Sequence, residues 1–109
     1  MASHFTKSTP AVRATYKAIL GAARQLGPVR EEAKKTSIHL VRSTAFAGVA
    51  TRKEALILTL KAERFLKSPR VSRAERTSAN RWHLELKLTA PAEVDAELRE
   101  WIEQAYDLA

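Results

Sequence analysis

His39 and His83 are the side chains best suited to proton or metal chemistry, and each is out of phase with its apolar neighbours, Ile38 and Leu40 for the first, Trp82 and Leu84 for the second. In extended segments that phase puts both imidazoles on the side away from the apolar residues, together with Glu85 and Lys87. If their strands were neighbours, His39, His83 and Glu85 would converge as metal ligands or as an acid/base group, with imidazoles about 4–7 Å apart. A simple meander would instead send them to opposite edges. Lone histidines on a half-exposed sheet face are more often structural or solvated, so neither a catalytic residue nor a metal ligand is assigned.

The second chemical feature is a run of cations. Lys61, Arg64, Lys67, Arg70, Arg73 and Arg76 recur at every third residue, Arg81 follows, and only Glu63 and Glu75 oppose them, so this segment carries +5 of the chain's +7. On an α-helix that spacing turns about 60° backward per step and winds around the axis, and Pro69 disfavours one continuous helix. The run therefore reads as a basic loop over 62–80 with diverging cations, and no base-reading helix is indicated. A solvated loop is the ordinary meaning of such a run, but its asymmetry favours an anionic partner. The expected contacts are Lys35, Arg42, Arg52, Lys61, Arg70 and Arg81, with His39 and His83 between them on the sheet. Lys61 and Arg81 at the strand ends are the core of this set, and Arg70 is its lid.

Other chemistries find no footing. The glycines are Gly21, Gly27 and Gly48, so no phosphate loop is present, and neither HExxH nor GxSxG occurs. Nucleotide hydrolysis by a P-loop is excluded, and no cofactor is expected. Cysteine is absent, which removes disulfides, thiolate metal sites and a cysteine nucleophile and is compatible with a reducing cytoplasm, the expected location. Phe65 lies among the cations of the basic segment, where an aromatic ring can stack on a base or anchor the loop to the core.

The elements that position these residues follow from periodicity. Thr9, Pro10 and Gly27 bracket a helix over 10–26, with Val12, Tyr16, Ile19, Leu20, Ala23 and Leu26 on one face. A second helix over 91–107 repeats that spacing with Val94, Leu98, Trp101, Ile102, Ala105 and Leu108. Between them the period is two. Strands are expected at 37–42, 45–50, 54–61 and 81–88, the last with Trp82, Leu84, Leu86 and Leu88 inward. Short connections make the sheet mostly antiparallel. The fold class is α+β, a two-layer α-β-β-β-β-α sandwich in which a four-stranded sheet is covered on one face by both helices.

At 109 residues, with 45% hydrophobic and 28% charged residues, the chain fits one folded domain over 10–109 preceded by a flexible lead-in at 1–9. No apolar run approaches the ~20 residues that span a bilayer. Charge is uneven, because residues 91–109 set six acids against Arg99 alone. That acidic end either solvates a helix face or lies near the basic surface and reduces its reach.

The runs KKTSIHLVR (Lys34–Arg42), AFAGVATRK (Ala45–Lys53), LILTLK (Leu56–Lys61) and ANRWHLEL (Ala79–Leu86) together resemble the bacterial domain-of-unknown-function family numbered 5655, of actinobacterial type. The resemblance covers nearly the whole chain. It implies no activity. It does imply a neighbouring or fused uncharacterised domain in some relatives, and it adds slightly to a nucleic-acid link. The functional expectation is a non-catalytic module that binds an anion, either a phosphorylated or carboxylated small molecule or a nucleic-acid backbone, on the open sheet face and basic loop. The alternatives are a small enzyme or metal site at His39, His83 and Glu85, or a structural domain that meets a second copy through a sheet edge or open face. No membrane partner is expected.

Overall fold

The computed structural model describes residues 5, 6 and 8–109. Helix α1 (Pro10–Arg24) is followed by strands β1 (Arg30–Ala33), β2 (Ile38–Val41), β3 (Ala45–Thr51), β4 (Leu56–Ala62), β5 (Arg73–Ser78) and β6 (Arg81–Leu88), then a 3₁₀ turn (Pro91–Glu93) and helix α2 (Ala96–Asp107). The strands form one sheet in the order β1-β2-β3-β4-β6-β5, and all neighbours are antiparallel. The α+β class holds, but the sheet has six strands where four were expected.

Both additional strands are edges, and both lack an apolar face. β1 reads Arg-Glu-Glu-Ala, and Glu31 occupies the position that pairs with the buried Leu40. The Tyr16 hydroxyl donates to the Glu31 carboxylate, and Arg24 approaches the same group at 3.5 Å. A polar clasp to α1 thus replaces the hydrophobic contact that alternation would signal. β5 reads Arg-Ala-Glu-Arg-Thr-Ser and lies almost wholly in solvent, held by its ladder to β6. The segment expected as a loop over 62–80 is therefore a loop only as far as Ser72; its second half is an edge strand.

The core lies between one sheet face and both helices. Leu56, Leu58 and Leu60 of β4 and Leu84, Leu86 and Leu88 of β6 alternate inward and are fully buried. Val12, Tyr16, Ile19 and Ala23 of α1 and Leu98, Ile102, Ala105 and Tyr106 of α2 close over that face. Burying a side chain of this size contributes roughly 1.5–3 kcal/mol, so this layer contact is the main stabilising term. β3 departs from strict alternation because the register shifts opposite Leu40 and Val41. Such a bulge lets Phe46, Ala47 and Val49 all be buried. Phe46 meets Tyr106 edge-on, with ring centroids 5.3 Å apart.

The helix ends also differ from expectation for local reasons. α1 stops at Arg24 rather than 26, with Leu26 N–H turned to the Ala23 carbonyl. Gly27 then adopts φ 156°, where a side chain would collide with the Tyr106 hydroxyl, itself bonded to the Pro28 carbonyl at 3.1 Å. At the other end Pro91 opens only the 3₁₀ turn, and α2 begins after Asp95, whose carboxylate accepts the Leu98 N–H at 3.0 Å. The lead-in expected over 1–9 falls partly outside the described residues. Within it Phe5 packs on Tyr16, and Ser8 and Thr9 bond the Arg52 and Lys53 carbonyls at 2.7 and 2.8 Å.

Candidate functional site

The helix-free face is an ordered grid of side chains, because antiparallel pairing aligns residues in rows across the strands. One row runs Glu32, His39, Gly48, Thr59, Glu85, Arg73 through all six strands. The next row places His83 between Lys61 and Glu75. Gly48 is the low point of the grid, since it is flanked by His39 and Thr59 and contributes no side chain. A concavity of about 250 Å³ results, lined by Ser37, His39, Gly48, Thr59, Lys61 and His83. A Cβ at Gly48 would lie 3.8 Å from His39 Cδ2 and 3.9 Å from Thr59 Cβ, so a Cβ fits there at ordinary contact distance and takes up space in the hollow.

Charge at the concavity is basic on its near side. The Lys61 ammonium donates to the Thr44 hydroxyl at 3.2 Å and has no carboxylate partner among the described residues. Two acids of this face, Glu32 and Glu75, are engaged toward its edges, whereas Glu85, opposite Thr59, has no ion pair among the described residues. Glu32 takes Arg30 at 3.0 Å and Lys34 at 3.5 Å, and its hydrogen bond from Arg30 is the main reason its carboxyl is held below the usual range. Glu75 pairs with Arg73 at 3.9 Å, and Glu85 faces Arg73 in the ladder.

Three of the eight residues expected to bind an anion, His39, Lys61 and His83, thus line one concavity, with the two imidazoles at its opposite ends. Arg81 is on the same face at the end of β6, with its guanidinium on the Asn80 carbonyl at 2.8 Å. Lys35 is exposed in the β1–β2 turn. Arg52 borders a separate, wider depression of about 520 Å³ with Lys53, Ile57 and Lys87.

Arg42 and Arg70 serve the helix layer instead. Arg42 lies over the Tyr106 ring at 4.4 Å and donates to the Tyr106 carbonyl at 3.1 Å, where it satisfies an acceptor at the end of α2. Arg70 reaches the start of α2, donating to Asp95 at 2.9 Å, Glu97 at 3.1 Å and the Glu93 carbonyl at 2.7 Å, with Trp101 alongside at 5.8 Å. The bond to Asp95, first among these, raises the Arg70 pKa further. Arg70 is a clasp between the basic segment and the acidic end of the chain, not a lid on the open face.

The acid/base constellation is not assembled. β2 and β6 are separated by three strand-to-strand steps, about 14 Å at the usual spacing, before a further offset along the strands. One ion held at about 2 Å by each imidazole does not span that gap. No group of three or more metal-ligating His, Cys, Asp or Glu side chains occurs among the described residues. Gly48, Thr59 and Ser37 were absent from the expected set. The signal for the first was a glycine inside a strand pattern, which marks a place left open for close approach.

No helix among the described residues is long and apolar enough to cross a membrane. Residues 1–109 match the family model described as Domain of unknown function (DUF5655), and the chain belongs to that family. Neither a curated protein nor a solved structure matches it.

Proposed function

We propose that this member of the DUF5655 family is a non-catalytic binding module that holds a small organic anion, bearing a phosphate or a carboxylate, in the concavity over Gly48. The observation that carries this reading is the Lys61 ammonium, free of any carboxylate among the described residues, at the rim of a glycine-floored hollow. Thr59 and Ser37 line the same hollow and offer hydroxyl donors beside the charged one, with the imidazoles of His39 and His83 at its two ends. A hydrogen bond to an ionised group contributes about 1.5–3 kcal/mol net, enough for one lysine to set affinity while its neighbours set orientation.

Calorimetric titration with inorganic phosphate, a sugar phosphate and a small dicarboxylate tests this. At least one should bind, and Lys61→Ala should weaken it about tenfold or more. Failure of all three, or unchanged binding in Lys61→Ala, would overturn the reading.

A further inference from the structure

Phe65 is the large apolar side chain left exposed among the described residues, with 49% of its surface in solvent. It lies in the loop that follows β4, and its ring rests against Trp82 with centroids 5.6 Å apart and planes tilted by 59°. Trp82 is half-buried on β6, where it pairs with Ala62 on one side and Arg76 on the other. The exposed ring is thus fixed by a second ring anchored in the sheet. Arg64 and Lys67 flank Phe65 in the chain, and Arg76 stands across from Trp82 with its guanidinium on the Ser78 and Ala79 carbonyls at 3.2 Å. None of these three cations has a carboxylate partner among the described residues.

We propose that the Phe65–Trp82 ring pair, with Arg64 and Lys67 beside Phe65 in the chain and Arg76 across from Trp82 in the sheet, is a stacking site for single-stranded nucleic acid. The occupant must be a polyanion that also presents flat apolar faces. A sugar phosphate or a dicarboxylate has no use for the exposed ring, and a duplex keeps its bases stacked inside. An unpaired strand offers both, and stacking on a protein aromatic is tolerant of base identity because every base has a π-face. This inference uses other residues than the concavity over Gly48 and does not depend on it.

The test is fluorescence anisotropy with a labelled twelve-residue oligothymidylate, read alongside the protein's tryptophan emission. The strand should bind at low salt, quench emission, and lose affinity with a log–log salt slope of about −2, the value for three neutralised phosphates on a single strand. Phe65→Ala should weaken binding about tenfold, whereas Phe65→Tyr, which keeps the ring, should stay within about twofold of the parent. Arg64→Ala should reduce the salt slope by about 0.7. The proposal is overturned by no binding at low salt, by equal affinities of Phe65→Ala and Phe65→Tyr, or by a blunt duplex of the same length binding as tightly. It is equally overturned if sedimentation shows Phe65 burying itself against a second copy and Phe65→Ala alters only that association.

Discussion

At the scale of single residues, position on a face decides what a cation does. Lys61 and Arg70 belong to one period-three series, yet Lys61 lines the concavity and Arg70 bonds three oxygens beside α2. Arg70→Ala should therefore cost stability and leave anion binding in place. Its partners Asp95 and Glu97 are exposed, so the ion pairs themselves count for little. The bond to the Glu93 carbonyl dominates, and a loss of about 1 kcal/mol is expected in urea titration. Lys should not restore it, because one ammonium does not reproduce the fork that meets three acceptors. Asp95 is held below the ordinary carboxylate range by the Leu98 N–H first and by Arg70 second. Burial alone would push Glu93 up, but donation from the Thr89 amide and hydroxyl and from the Ala90 amide together outweighs it, so its carboxyl is also held low. Depressed carboxylates contribute stability above their unfolded pKa and lose it as pH falls through the folded one. The native protein should thus weaken below the usual carboxylate range, with a shallower acid limb in Arg70→Ala. Gly48→Val is the opposite kind of change. A β-branched residue suits a strand and a Cβ at this position meets its neighbours at ordinary contact distance, so melting temperature should hold or rise while binding at the concavity is lost.

At the scale of elements, the edges of the sheet carry the lesson about reading sequence. The interior strands were legible because Leu56, Leu58 and Leu60, and Leu84, Leu86 and Leu88, alternate against polar residues. β1 and β5 were not, because strand periodicity reports burial and neither strand has an apolar face to bury. Glu31 takes the inward position of β1 by bonding Tyr16, an interaction between residues fifteen apart that no local pattern announces. The candidate site was half legible for the same reason. Alternation placed His39 and His83 on the open face, but only the strand order could show that β3 and β4 separate them. The Tyr16–Glu31 clasp has a measurable signature. Burial first, and then the bond to Glu31, raises the Tyr16 pKa above its ordinary value. A raised group contributes stability in full below its unfolded pKa, about 10 for tyrosine, and loses it as pH rises beyond. Tyr16→Phe should lower stability at neutral pH by about 1 kcal/mol, the net value of a lost hydrogen bond. It should also flatten the alkaline limb of a melting-temperature profile taken above pH ~10.

At the scale of the whole molecule, the two layers divide the labour. The helix layer buries the core and absorbs part of the basic segment's charge through Arg70 and the acidic end of the chain. The sheet's other face is left with a shaped hollow and a lysine free of carboxylates. Net charge of +7 would draw anions to any part of such a surface, so bulk affinity alone cannot distinguish a site from a diffuse field. Salt dependence separates the two in part: long-range attraction between exposed charges fades beyond a Debye length of about 10 Å at 0.1 M salt, whereas a directly bonded anion retains its short contacts. The decisive observation is where an anion sits. An amide-resolved NMR titration at 0.15 M salt with whichever of the three anions binds in calorimetry, run on the parent protein and on Gly48→Val, reports this directly. Saturable shifts centred on His39, Gly48, Thr59, Lys61 and His83, lost in Gly48→Val, are the expected result. Shifts spread over Lys35, Arg52 and Arg64 without saturation, or an identical titration in Gly48→Val, would contradict a binding site on the open face.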